Sequence, residues 1–159
     1  MAYDAHDDGR RDFHFLYGRW SVRHRRLKAR GVGYAEWDEF AGTCFTQGLM
    51  DGLCNVEEHD FPARGVQAVA LRTFDPAARR WSIYWVSSTT GRLEPPVHGA
   101  FRDGVGRFEG EDVDDGRPVA VRFIWDEITP ASARWRQAFS YDGGQTWEEN
   151  WEMAFTRAA

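Results

Sequence analysis

Glu57 and His59 stand two residues apart in the run Cys54-Asn55-Val56-Glu57-Glu58-His59. On a β-strand that spacing puts both side chains on one face. A carboxylate beside an imidazole is a minimal acid–base pair, able to hold and move a proton if it is buried and a solvated surface pair if it is not. Asn55 shares their parity. Arg72, on the following strand-like run, is a cation placed to pair with Glu57 and Asn55. Two roles stay open for this group, a structural salt bridge and a ligand anchor. With Glu36 and Gln137, these residues would serve a cofactor-free cyclase or isomerase acting on a hydrophobic small molecule.

Other chemistries lack their signatures. There is no G-x-S-x-G elbow and no phosphate loop, and Gly31-Val32-Gly33 lacks the third glycine and the strand-to-helix context of a dinucleotide fingerprint. Cys44 and Cys54 do not match a zinc pattern, which wants clustered pairs, so no metal is expected. A hairpin centred on Leu49 would bring the two cysteines face to face, although a reducing compartment would keep them as thiols.

The 159 residues suffice for one domain, 1–159, with 1–7 as a loose polar leader. A net charge of −5 argues against a nucleic-acid partner. The basic cluster Arg23, His24, Arg25, Arg26, Lys28 and Arg30 divides between the two faces of a strand and the following turn, and reads as a solvated outer face. Without an N-terminal apolar segment or a membrane-length run, the expected location is the cytoplasm, with no membrane partner. Eight Trp within a 15% aromatic composition exceed what a small core usually needs and suit a cavity wall or the end plugs of a barrel.

After one or two helical turns within Asp8 to Tyr17, the chain reads as strands at 19–29, 34–46, 52–60, 66–74, 80–88, 97–102, 106–113, 118–127, 132–140 and 146–157. Tight turns such as Asp75-Pro76, Asp103-Gly104 and Asp115-Gly116 join them, and only Thr89 to Pro96 is long and Pro-rich, a candidate rim loop. Sequential strands with such short connections predict an all-β protein, an antiparallel up-and-down β-barrel of about ten strands.

The turn Ser140-Tyr141-Asp142-Gly143-Gly144-Gln145-Thr146-Trp147 resembles the Asp-box hairpin. If Ser140 opposes Thr146, Gln137 faces Glu149 and Trp135 faces Trp151, while Arg136 meets Asn150 on the other face. Trp135, Gln137, Glu149, Trp151, Met153 and Phe155 then point inward. The same alternation gathers Trp81, Ile83 and Trp85 on one face of their strand and Val121, Phe123 and Trp125 on one face of theirs. The ligand-lining candidates are therefore Glu36, Asn55, Glu57, Arg72, Trp85, Trp125, Trp135, Gln137, Glu149 and Trp151.

The opening Phe15-Leu16-Tyr17-Gly18-Arg19-Trp20 resembles the G-x-W signature of lipocalins and related calycin barrels. That resemblance implies that Trp20 plugs the closed end of the barrel and that a late arginine, Arg157, lies across it. Most of residues 12–157 is similar to a family of short bacterial lipocalin-like barrels of unknown function. Carrying this similarity are Trp37-Asp38-Glu39-Phe40-Ala41-Gly42-Thr43-Cys44, Gly52-Leu53-Cys54-Asn55-Val56, Phe74-Asp75-Pro76, Trp81-Ser82-Ile83-Tyr84-Trp85 and the closing hairpin. It implies a fold more than an activity. The chain departs from typical lipocalins in having more than eight strands, no secretion signal and no C-terminal helix pattern.

A nitrobindin-like haem barrel would need an axial histidine on an apolar wall. His24 and His59 read as strand positions among charges, His98 follows Pro95-Pro96-Val97, and the glycine-rich nitrobindin opening is absent, so no cofactor is expected. The expected function is binding of a hydrophobic or aromatic small molecule in the lumen. A homodimer through an outer face or the Pro95-Pro96 loop is compatible with the pattern.

Overall fold

The computed structural model describes residues 8–159, so the expected leader at 1–7 lies outside the described residues. Ten antiparallel strands follow one another: β1 (Gly18–Leu27), β2 (Trp37–Leu49), β3 (Cys54–Phe61), β4 (Val66–Asp75), β5 (Arg80–Ser87), β6 (Val97–Arg102), β7 (Val105–Asp114), β8 (Arg117–Asp126), β9 (Ser132–Ser140) and β10 (Glu148–Arg157). Each pairs with its sequence neighbours, and β1 also pairs with β10, closing the sheet into a barrel. Closure removes both free edges and commits alternate residues of every strand to the interior.

The two ends are built differently. At one end a 3-10 turn, His14–Leu16, is tucked into the barrel, with Phe13 and Leu16 fully buried. Phe13 meets Trp81 and Phe101 edge-on at 4.9 Å, within a plug that also contains Phe108 and Trp125. Trp20 is 1% exposed and donates its indole N–H to the Leu16 carbonyl at 2.8 Å. The Arg157 guanidinium lies 4.1 Å from the centre of the Trp20 ring and donates to the carbonyls of Phe15, Tyr17 and Pro130, each at 2.8 Å. One planar cation thus ties the first strand, the last strand and the plug together.

The other end is open. There β5 and β6 share only three residue pairs, Trp81 with Gly99 through Ile83 with Val97. Beyond them the 88–96 loop takes over the edge of β5, through Glu94 N–H to Trp85 O at 2.8 Å. This loop forms part of a cavity mouth.

Two expected registers differ from the structure. In the β2–β3 hairpin Cys44 pairs with His59 and Cys54 with Leu49, so the cysteines do not face one another, and both thiols are free. Met50, Asp51 and Gly52 all take positive φ and shift the turn centre past Leu49. In the last hairpin Asp142 accepts from the N–H groups of Gln145 and Thr146 and from the Ser140 and Thr146 hydroxyls, as an Asp-box turn should. The turn spans more residues than a Ser140–Thr146 pair allows, however. Glu148 opposes Phe139 and Glu149 opposes Ala138; a β-bulge then absorbs Asn150, and Trp151 opposes Gln137.

The bulge exchanges two side chains between faces. Asn150, expected outside, is 1% exposed within the barrel and accepts from the Gln137 amide at 2.8 Å. Glu149, expected inside, lies on the outer wall in an ion pair with Arg136. Trp135, Trp151, Met153 and Phe155 keep their inward parity.

The plug generates a stability prediction. Arg157→Ala removes three hydrogen bonds and the indole stack, and unfolding by denaturant should show a loss of about 2 kcal/mol. Arg157→Lys should recover less than half, because an ammonium cannot reach three carbonyls while lying flat on Trp20. Unchanged stability in both variants would remove the clamp from the account of closure.

Candidate functional site

Between the plug and the open end lies a cavity of about 500 Å³. Its wall is aromatic. Trp151 packs edge-on against Trp135 at 5.4 Å and Trp85 at 5.8 Å, and Phe123 meets Trp135 at 5.0 Å. Ile83, Val97 and Val121 supply aliphatic surface. The alternation read from β5, β8 and β9 places these residues, since each occupies an inward position of its strand.

The floor is polar. Glu57 and Arg72 reach the cavity from β3 and β4. Arg72 donates to Asn55 Oδ1 at 3.0 Å and to Glu57 Oε1 at 3.2 Å, with its guanidinium 4.7 Å over the Phe13 ring. His59 Nε2 lies 2.5 Å from the same Glu57 oxygen, and the Thr46 hydroxyl donates to Oε2 at 3.3 Å. Burial alone would raise the Glu57 pKa; the Arg72 and His59 charges and their hydrogen bonds outweigh it and hold the group ionised, well below the usual carboxylate range. Asn55 lies behind Arg72, with its amide nitrogen unpartnered. Trp125 closes the floor against Phe155 at 5.1 Å.

Histidines complete the interior. His24 and His59, read from the sequence as strand positions among charges, are both buried inside the barrel. His24 stacks on Phe40 at 4.5 Å, and its Nδ1 accepts from the Trp151 indole N–H at 3.1 Å. Its Nε2 lies over Gly42, where a Cβ would approach it to 3.0 Å and the Asp60 carbonyl to 2.8 Å, so the ring needs a glycine beneath it. Burial first, then His59 and Arg26, lower the His24 pKa to about 3 and keep the ring neutral.

Cys44, Glu57 and His59 offer one ligand atom each within 4.8 Å of one another, a donor set of the kind zinc takes. The Arg72 cation beside this carboxylate opposes a second cation there. Burial pushes the Cys44 thiol pKa upward, away from thiolate chemistry.

Of the remaining candidates, Gln137 lines the cavity through its contact with Asn150. Glu36 does not reach it, being exposed on the β1–β2 connection in an ion pair with Lys28. Thr46, His24 and Arg26 were missed by sequence reading. Parity counted from the plug residue Trp20 along β1 would have turned His24 and Arg26 inward, and the same count along β2 would have found Thr46 beside Cys44.

The barrel is similar to the solved structure of the S-type phycobiliprotein lyase CPES from Guillardia theta, with a TM-score of 0.55 and 11% identity, over 92% of this chain and 90% of that one. At this identity the likeness shows the fold alone, a closed antiparallel barrel. No protein-family model and no curated protein matches the sequence. Among the described residues no helix is long and apolar enough to cross a membrane.

The neutral His24 has a consequence for pH. Between pH 6.5 and about 3 the unfolded chain binds a proton at this residue that the folded protein refuses, so stability falls as pH drops through that window. From pH 7 to 5 the wild-type denaturation midpoint should decline. His24→Gln, which keeps an acceptor for Trp151, should decline less, by about 2 kcal/mol at pH 5. Parallel curves for the two proteins would contradict a neutral buried ring.

Proposed function

We propose that the protein binds an elongated, apolar, unsaturated small molecule in its aromatic cavity and rearranges it by proton transfer at the Glu57–Arg72 floor, as a cofactor-free isomerase or cyclase. The observation that carries this reading is Glu57 itself, a carboxylate kept ionised at 2% exposure and facing a cavity otherwise walled by aromatic rings. Stability alone gives little reason for it, because replacing a buried ion pair by apolar residues of similar volume is often neutral or stabilising. A buried charge with specific partners facing a cavity is a functional-site candidate. The lowered pKa keeps Glu57 in the unprotonated form a base requires while reducing its proton affinity.

The step suits the residues. A conjugated ketone bound with its oxygen toward the floor accepts a hydrogen bond from Arg72. Glu57 takes the proton from the adjacent acidic carbon and returns it at another carbon of the same molecule. Every atom stays in the substrate, so no redox partner is required. His59 and Thr46 hold the carboxylate in place. The likeness to CPES, a lyase by name, supports catalysis in a barrel of this shape. The two buried free thiols are compatible with work in a reducing cytoplasm.

One observation favours a carrier instead. Both Glu57 oxygens already accept hydrogen bonds, which suits a polar anchor as well as a base.

Two measurements separate the readings. N-phenyl-1-naphthylamine should quench the tryptophan fluorescence saturably, and Trp151→Ala should weaken its binding about tenfold while the barrel stays folded. In D2O the wild type should speed deuterium uptake at the acidic carbons of β-ionone, and Glu57→Gln should slow it about a hundredfold with probe binding intact. Probe binding without exchange establishes the carrier; absence of both removes the cavity reading.

A further inference from the structure

Four arginines line the cavity, three at its mouth and one at its floor, and all but one of them have a carboxylate partner. Arg30 pairs with Asp114 at 2.8 Å, Arg64 pairs with Asp38, and at the floor Arg72 pairs with Glu57. Arg26 is different. On β1 it continues the inward series Val22 and His24, opposite Trp151 of β10 and Asp38 of β2. Its guanidinium lies 4.4 Å from the centre of the Trp151 ring, and among the described residues its side chain makes no hydrogen bond or ion pair. It nevertheless lines the cavity and is half-buried. Stacking uses the face of a guanidinium and leaves the in-plane N–H donors free.

A half-buried cation of this kind is an unfilled half of an interaction. Burial, with Arg30 next, pushes the Arg26 pKa down, while Glu94 and Asp38 only oppose that at longer range. Glu94 makes no ion pair with Arg26, and burial, then Asp112, raises its pKa. Asp38 is taken by Arg64.

We propose that Arg26 is the anion subsite of the cavity, and that its ligands are elongated unsaturated carboxylates, bound with the carboxylate on Arg26 at the mouth and the apolar body running toward the floor. This deepens the small-molecule reading above and rests on it. The Trp151 indole serves both ends of the arrangement: one face orients the guanidinium, and the ring edges wall the chamber in which the apolar body lies. The length follows from the sheet. Arg26 pairs with Asp38, and Glu57 pairs with Thr46 on the same strand. Eight steps of about 3.3 Å along a tilted strand separate the two backbone levels by roughly 20 Å along the barrel axis. The side chains shorten that span, and a conjugated chain ending in a carboxylate can touch both. Two parallel N–H···O bonds are the natural fit between such a head group and a planar guanidinium.

The experiment compares cis-parinaric acid with its methyl ester, two fluorescent polyenes alike except for the charge. Wild type should bind the acid at least about tenfold more tightly than the ester, the scale of one charge-assisted hydrogen-bonded contact. Arg26→Met, which keeps an unbranched side chain against Trp151, should abolish that preference while leaving ester affinity within about twofold. Arg26→Lys should restore part of it. Arg134→Met, altering an arginine paired with Asp126 outside the cavity, should leave the preference intact, and thermal melts confirm that each variant is folded. Equal affinity of the wild type for acid and ester, or a preference that survives in Arg26→Met, overturns the anion subsite and leaves the cavity reading standing. Failure of both polyenes to bind overturns the two together.

Discussion

The pairing of β1 with β10 is the constraint on which the rest of this molecule depends. Once the sheet closes, side chains can no longer choose between a core and water along an open face. Each strand must give alternate positions to one enclosed volume. Ten strands enclose more space than their own inward side chains fill, so one end needs a separate plug. The chain supplies it from the segment just before β1, and Trp20 and Arg157 fasten that segment to the first and last strands at once. Filling one end is what leaves a chamber at the other. The cavity is a consequence of closure and of a plug too short to occupy the whole barrel.

Within that chamber the polar residues are distributed in a way that packing does not require. A carboxylate moved into a protein interior loses several kcal/mol of hydration, and only close countercharges and hydrogen bonds return it. Glu57 receives them from Arg72, His59 and Thr46, drawn from three consecutive strands. The same strands leave the amide of Asn55, Nδ1 of His59 and Nε of Arg72 without protein partners. A network built only to neutralise Glu57 would close on itself. This one retains donors and acceptors near the floor of a cavity, where a ligand or a water can complete them.

Strand positions and the barrel itself were legible because alternation and turn chemistry are local signals. Asp75-Pro76, Asp103-Gly104 and Asp115-Gly116 mark turns that the structure contains, and Trp81, Ile83 and Trp85 share a face in both readings. What local pattern could not show was an irregularity that costs one residue. The bulge at Asn150 leaves no mark in composition, yet it carried Glu149 out of the lumen and Asn150 into it. Three consecutive positive-φ residues at 50–52 likewise moved the β2–β3 register and put His59, not Cys54, beside Cys44. The histidines were obscured for another reason. His24 sits among arginines in sequence, and charge density suggested solvent; the fold sends Arg23 and Arg25 outward and His24 inward, so the cluster was never one surface.

That division of β1 also explains why the chamber has polarity from end to end. Its inward side chains run from an indole at the plug, through valine and a neutral imidazole, to a free guanidinium at the mouth. The floor presents a carboxylate and a guanidinium that already neutralise each other, while the mouth presents one cation that its neighbours do not. An apolar molecule without charge would satisfy the walls and leave Arg26 half-desolvated beneath it, a cost that grows as the ligand excludes water. A molecule with an anion at one end converts that cost into attraction, and the direction of entry is then set: apolar end first, charged end last. The geometry therefore selects orientation before it selects chemistry. On the proposed function, that orientation would bring the unsaturated end to Glu57 and Arg72.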